Sequence, residues 1–87
     1  MDDLEFEILD SLYFVEPFET IVKEVSEKRL GVVLECLRKL IKKRWVQVMV
    51  FNEEKQEFMS TPFVDFDRIV DFQFMATKNG LTAHNSK

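Results

Sequence analysis

Between Val25 and Leu30 the apolar stripe of this chain slips by about one residue, and that slip limits what it can fold into. Phe18, Ile21, Val22 and Val25 follow the i, i+3, i+4, i+7 spacing of one helix face. Leu30, Val33, Leu34, Leu37, Leu40 and Ile41 repeat the spacing, displaced by roughly 100° around a helix axis. One unbroken helix would have to bury two different faces. A break near Ser26 removes the conflict, because a serine hydroxyl can accept a free backbone N–H in the first turn of a new helix. Two helices joined by so short a turn are the core of a helix-turn-helix.

The flanks extend this pattern. Leu4, Ile8, Leu9 and Leu12 predict a first helix over about residues 3–14, ended by Pro17, which in turn suits the first turn of the second helix. At Trp45 the period changes. Residues 45–51 are rich in β-branched and aromatic side chains and read as a strand. Residues 52–55 are a polar turn, 56–61 return as a second short strand, and Pro62 stops it. A further strand is expected at about 69–76. Either Asp65 caps one helical turn before it, with Phe66, Ile69 and Val70 inward, or the strand begins earlier. Thr77 looks like the N-cap of a short last helix near 78–84. The expected core is Ile8, Leu12, Phe18, Ile21, Val22, Leu30, Val33, Leu34, Leu37 and Ile41, partly covered by Trp45.

This order resembles the winged helix-turn-helix superfamily. Leu34-x-x-Leu37-x-x-Leu40-Ile41-x-x-x-Trp45-Val46 looks like a third helix running into the first strand of a wing. Phe74-Met75-Ala76-Thr77-Lys78-Asn79-Gly80-Leu81 is similar to the passage from the last wing strand into a closing helix in small bacterial regulators of the MarR and PadR type. The resemblance implies a mainly α fold with a small β-ribbon: three helices, an antiparallel wing and a short C-terminal helix. One domain is expected over 1–87, because a second core needs more chain than this. Its parts would be a three-helix core at about 3–44, the wing at 45–76, and a short helix and tail at 77–87. The family often has glycine just before the first wing strand, and this chain has Arg44 there.

Charge divides the functional readings. Residues 1–27 carry nine acids and one base; residues 28–44 carry seven bases and one acid; the whole chain is −4. A DNA-binding regulator would touch duplex DNA through Lys28 and Arg29, grip phosphates near the wing with Lys39, Lys42, Lys43 and Arg44, and place Lys55 at the wing tip. The exposed N-terminal positions of the third helix argue the other way. Gly31 and Val32 have no side-chain hydrogen bond to offer a base edge, and Glu35 repels phosphate. The second reading is therefore an interaction or dimerisation module that contacts another protein or itself. Six of the nine phenylalanines fall in residues 51–74, and Phe58, Phe63 and Phe66 are its candidate surface unless they fold back into the core.

An enzyme is not expected, and no catalytic, cofactor or metal site is assigned. One Cys (Cys36) and one His (His84) cannot build a zinc site, and they pair only if the tail folds back onto the third helix. Asp65, Asp67 and Asp71 lack the glycine and closing glutamate of a calcium loop. The longest stretch without a charged residue is eight, too short to span a bilayer, so no membrane role is expected. Residues 1–16 hold acids and no Lys or Arg, unlike a leader peptide, which makes the cytoplasm the expected compartment.

Overall fold

The computed structural model describes residues 1–62 and 65–86. In chain order its elements are α1 (Asp3–Asp10), β1 (Glu16–Pro17), α2 (Phe18–Glu24), α3 (Leu30–Lys42), β2 (Val46–Asn52), β3 (Glu57–Ser60), a 3-10 helix η1 (Phe66–Asp71), β4 (Gln73–Ala76) and α4 (Lys78–Asn85). The strands form one antiparallel sheet in the order β1-β4-β2-β3. This corrects the expected fold class. The molecule is α/β, half helical and one fifth strand, and its sheet has four strands rather than being a small ribbon on a helical core. Two features make the difference. The last strand lies inside the sheet, between β1 and β2, and the linker before α2 adds a strand at one edge.

That linker begins where α1 stops. Asp2 and Glu5 close a capping box at the start of α1, but the helix ends at Asp10 rather than near Phe14. The Ser11 hydroxyl donates to the Ile8 carbonyl at 2.7 Å, and the Leu12 carbonyl accepts from the Ala76 N–H at 2.9 Å. The chain leaves the helix to meet β4. Glu16 and Pro17 then pair with Phe74 and Gln73. Pro17 is tolerated there because an edge strand can spare an outward N–H.

The break between the second and third helices is where the phase slip puts it. Val25 is buried just past the end of α2, and α3 begins at Leu30. Its cap differs from the expectation. Arg29 occupies the N-cap without a side-chain bond, while the Ser26 N–H and hydroxyl both donate to the Glu7 carboxylate, at 3.0 and 2.6 Å. Ser26 pins the turn to α1 instead of capping α3. Leu30 also departs from the expected core. It is 57% exposed, because the first turn of α3 projects past the edge of the packed layer. Val33, Cys36, Leu37 and Leu40 are the buried residues of the helix.

α3 ends in a Schellman motif. The Arg44 N–H donates to the Ile41 carbonyl and the Trp45 N–H to the Leu40 carbonyl, both at 3.0 Å. Arg44 takes φ 65°, the left-handed region that glycine enters freely and other residues enter at about 1–2 kcal/mol. The reward is direction. The chain turns at once into β2, whose Val46 and Val48 join Phe74 and Ala76 of β4 on the face that packs against the helices.

The core gathers Ile8, Leu9, Leu12, Ile21, Val25, Val33, Leu37, Leu40, Val46, Val48, Ile69, Phe74 and Ala76. Phe18, Leu34, Ile41 and Trp45 pack against it half-buried. Before β4 the chain takes the helical-turn alternative. Asp65 caps η1 by accepting from the Asp67 N–H, and Ile69 turns inward while Val70 stays exposed.

Candidate functional site

The basic residues expected to meet phosphate do not share a face. Lys28 reaches back over the end of α2, its Nζ donating to the carbonyls of Val25 at 2.8 Å and Val22 at 3.1 Å. It answers the unpaired carbonyls and partial negative charge of a helix C-terminus. Arg29 forms a two-pronged pair with Glu27, at 2.9 and 3.1 Å, and its N–H donates to the same carboxylate. Hydrogen bonds from the Arg29 side chain and backbone hold the Glu27 carboxyl down to about 2, and the pairing raises the arginine. Lys43 donates to the buried Glu5 carboxylate at 2.8 Å and lies over the Trp45 ring at 4.6 Å. The acidic first helix thus neutralises part of the basic third one.

The other four are scattered. Lys42 and Arg44 line one groove with Ile41, Val46, Ser60 and Thr77. Lys39 lines a different groove, with Asp2 and Glu35. Lys55 sits on the hairpin between β2 and β3, where its N–H donates to the Asn52 side chain. Arg38 donates to the Phe66 carbonyl at 3.0 Å, and both it and Lys42 lie 5.7 Å from the Phe66 ring centre.

The phenylalanines divide. Phe74 is fully buried, and Phe66 and Phe72 pack half-buried on the core, so Phe66 is largely absorbed by the fold rather than presented as a surface. Phe58 is exposed. Phe63 lies outside the described residues. Phe51, absent from the expected surface, is 47% exposed and meets Phe58 edge-on at 5.2 Å between ring centres. The register explains the pair, because Phe51 and Phe58 stand directly opposite on β2 and β3. Val50 and Val70 are also exposed, and an open groove beside the two rings is lined by Met49, Phe72, Asp65, Arg68 and Asp71. Leu30 and Val32 expose further apolar surface on α3, where a base-reading helix would carry polar side chains.

The C-terminal helix does fold back, but onto α1. His84 is buried, stacked on Phe6 at 4.2 Å, with Nε2 3.1 Å from Asp10 Oδ1 and Nδ1 3.1 Å from the Tyr13 hydroxyl and 3.0 Å from Asn85 Oδ1. Cys36 is not among its partners. Burial, aided by the carboxylates of Asp2 and Glu5, pushes the Cys36 thiol up to about 11. Since the thiolate is the reactive form, alkylation of native protein by iodoacetamide at pH 8 should run roughly a hundredfold slower than for an unhindered cysteine, and should speed up as pH approaches 11. A native rate equal to that of the urea-unfolded chain would show that Cys36 is not held this way.

Among the described residues no cluster of three His, Cys, Asp or Glu is placed to hold a metal ion, and no helix is long and apolar enough to cross a membrane. Compared with known proteins, the chain matches no family model, no curated protein and no solved structure. The winged-helix resemblance therefore rests on the sequence pattern alone.

Proposed function

We propose that this chain is a protein-interaction module that engages its partner through the exposed aromatic end of its sheet. The observation that carries the reading is the opposite fate of the two candidate surfaces. Lys28, Arg29 and Lys43 are taken up by partners within the chain, whereas Phe51 and Phe58 stand paired and exposed on one face of the sheet, with Val50 exposed on the other. Adjacent exposed aromatic side chains mark interaction surfaces in small domains. The apolar first turn of α3 supports the same reading, since it offers duplex DNA no donor or acceptor beyond its backbone.

One observation favours the DNA reading. The groove that holds Lys42 and Arg44 also carries the hydroxyls of Ser60 and Thr77, and among the described residues no carboxylate lines it. A duplex titration at low ionic strength separates the two. A phosphate-gripping protein loses affinity with salt at about 0.9 in log–log slope per contact. The expected result is no salt-sensitive binding. Micromolar binding whose slope flattens by nearly two in Lys42→Gln/Arg44→Gln would reverse the choice in favour of DNA. The protein-interaction reading also requires self-association or partner binding to weaken in Phe51→Ser with the fold intact.

A further inference from the structure

β3 is an edge strand of the sheet. The Thr61 N–H donates inward to the Val48 carbonyl at 2.9 Å, and the register with β2 fixes the alternation along the strand. The backbone groups of Glu57, Met59 and Thr61 face β2, and those of Phe58 and Ser60 face away from the sheet. Among the described residues no strand pairs with that outward side. Among the devices that blunt an edge, β3 has its short length and the charge of Glu57, but no lysine, proline or bulge falls within Glu57–Ser60 to block the backbone groups of Phe58 and Ser60.

Resting on the protein-interaction reading, we infer that the partner is a second copy of this chain, paired antiparallel along β3 about a two-fold axis at Met59, so that the two sheets become one.

The register follows from the strand's own residues. An outward residue must oppose an outward residue, which leaves three two-fold registers. Placing Phe58 opposite Phe58 sets Gln56 against Ser60, but Gln56 has φ 54° and is not extended. Placing Ser60 opposite Ser60 sets Phe58 against Pro62, which has no N–H. Placing Phe58 opposite Ser60 uses both outward residues of each copy, and every exposed donor finds an acceptor.

Side chains agree with this register. Glu57 would face Thr61 of the other copy, and the two Glu57 residues would lie about 14 Å apart along the strands, beyond the screening length at physiological salt. Phe58 would stand diagonal to the second Phe58 at about 7–8 Å, within reach of aromatic rings. The Phe51–Phe58 contact would then continue across the axis as a four-ring row. The whole surface is self-complementary, as a two-fold interface must be.

The register gives a cross-linking test. Opposed residues whose backbone groups face away from each other have Cα atoms about 4.5 Å apart, close enough for a disulfide. Met59→Cys should therefore oxidise to a covalent dimer within minutes under mild oxidation, while Glu57→Cys, remote from its own copy, should stay at least tenfold slower. The buried Cys36 does not compete. In sedimentation equilibrium the wild type should reach twice the 10.4 kDa chain mass. Ser60→Pro, which removes an outward donor and no donor facing β2, should weaken association at least tenfold with circular dichroism unchanged. Phe58→Lys serves the same purpose if the proline perturbs the strand. Equal cross-linking at positions 57 and 59, or a Ser60→Pro dimer as tight as wild type, overturns edge pairing but leaves a dimer that Phe51→Ser can still test. A wild type that stays at 10.4 kDa at millimolar concentration overturns the pairing outright, and the DNA titration then decides the broader reading.

Discussion

Phe74→Ala is expected to destabilise the protein by about 3–5 kcal/mol, lowering the melting temperature by more than roughly 12 °C. Phe74 is fully buried, and its position in the sheet makes the loss hard to absorb. β4 is bracketed by β1 and β2, so Phe74 is held in register with Glu16 on one side and Val48 on the other. The backbone cannot move inward to fill the space without breaking ladder bonds on both sides. The surrounding core residues then line a cavity that stays open. A small domain holds only about 5–10 kcal/mol in total, so the variant should be partly unfolded near body temperature. Thermal denaturation followed by circular dichroism reads the effect, and a melting temperature within a few degrees of wild type would mean that Phe74 does not lie at the centre of the sheet. Phe58→Ala is the useful contrast. It is an exposed residue on the edge strand, and its removal should change stability by less than about 1 kcal/mol while acting on association.

The contrast between those two phenylalanines shows what the sequence carried. Periodicity reports burial, and where burial is periodic the reading succeeded. The phase slip located the break between Val25 and Leu30, and the change of period at Trp45 located the hairpin. Asp65 could be named as one of two alternatives, a cap or part of an earlier strand, because capping chemistry is local, and the structure takes the cap. Local rules failed where the deciding partner lies far along the chain. A two-residue strand has no period, so β1 looked like a mere helix break at Pro17, and without it the sheet shrank to a ribbon. Ser26 has the chemistry of an N-cap, but Glu7 stands nineteen residues earlier and takes its hydroxyl. Leu30 is in phase with the core stripe, yet phase says nothing about where a helix ends relative to the layer it packs on.

The basic residues show the same limit at one position. Lys43 looked available because its neighbours in sequence are bases, and its partner Glu5 comes from α1, far earlier in the chain; Lys28 and Arg29 are taken up locally instead, by the carbonyls at the end of α2 and by Glu27. The charge asymmetry offered the needed hint. A −8 segment next to a +6 segment in one small domain favours internal neutralisation, and the Glu5–Lys43 pair is its clearest instance. The Phe51–Phe58 pair was missed because the turn read at residues 52–55 lies one residue early and would set Phe51 opposite Gln56; with the strands paired as Asn52 to Glu57, the two rings face each other.

Gly80→Ala should be comparably damaging, for a different reason. Gly80 is buried in the first turn of α4, and a Cβ built on it would overlap the backbone carbonyl of Trp45, with the Leu9 side chain 3.2 Å away on another side. A clashing side chain can rotate away, but this carbonyl cannot, because it accepts from the Thr77 N–H at 2.9 Å and belongs to the turn that Arg44 holds in its left-handed conformation. Relief requires α4 to lift. That would strain the Thr77 hydroxyl bond to the Arg44 carbonyl, the Thr77 cap on the Gly80 N–H, and the packing of His84 on Phe6. Overpacking of this kind costs about 1–3 kcal/mol where neighbours can yield, and the upper end or more is expected where the neighbour is backbone. Helix propensity works in the opposite direction, favouring alanine by about 1 kcal/mol, so the sign of the result is diagnostic. Urea denaturation should show the midpoint falling for Gly80→Ala. Gly31→Ala should hold or raise it, because Gly31 lies in α3 and a methyl group added there would meet nothing within 4 Å. A Gly80→Ala midpoint at or above wild type would mean that α4 does not close against the turn at Trp45, and the buried setting of His84 would fall with it.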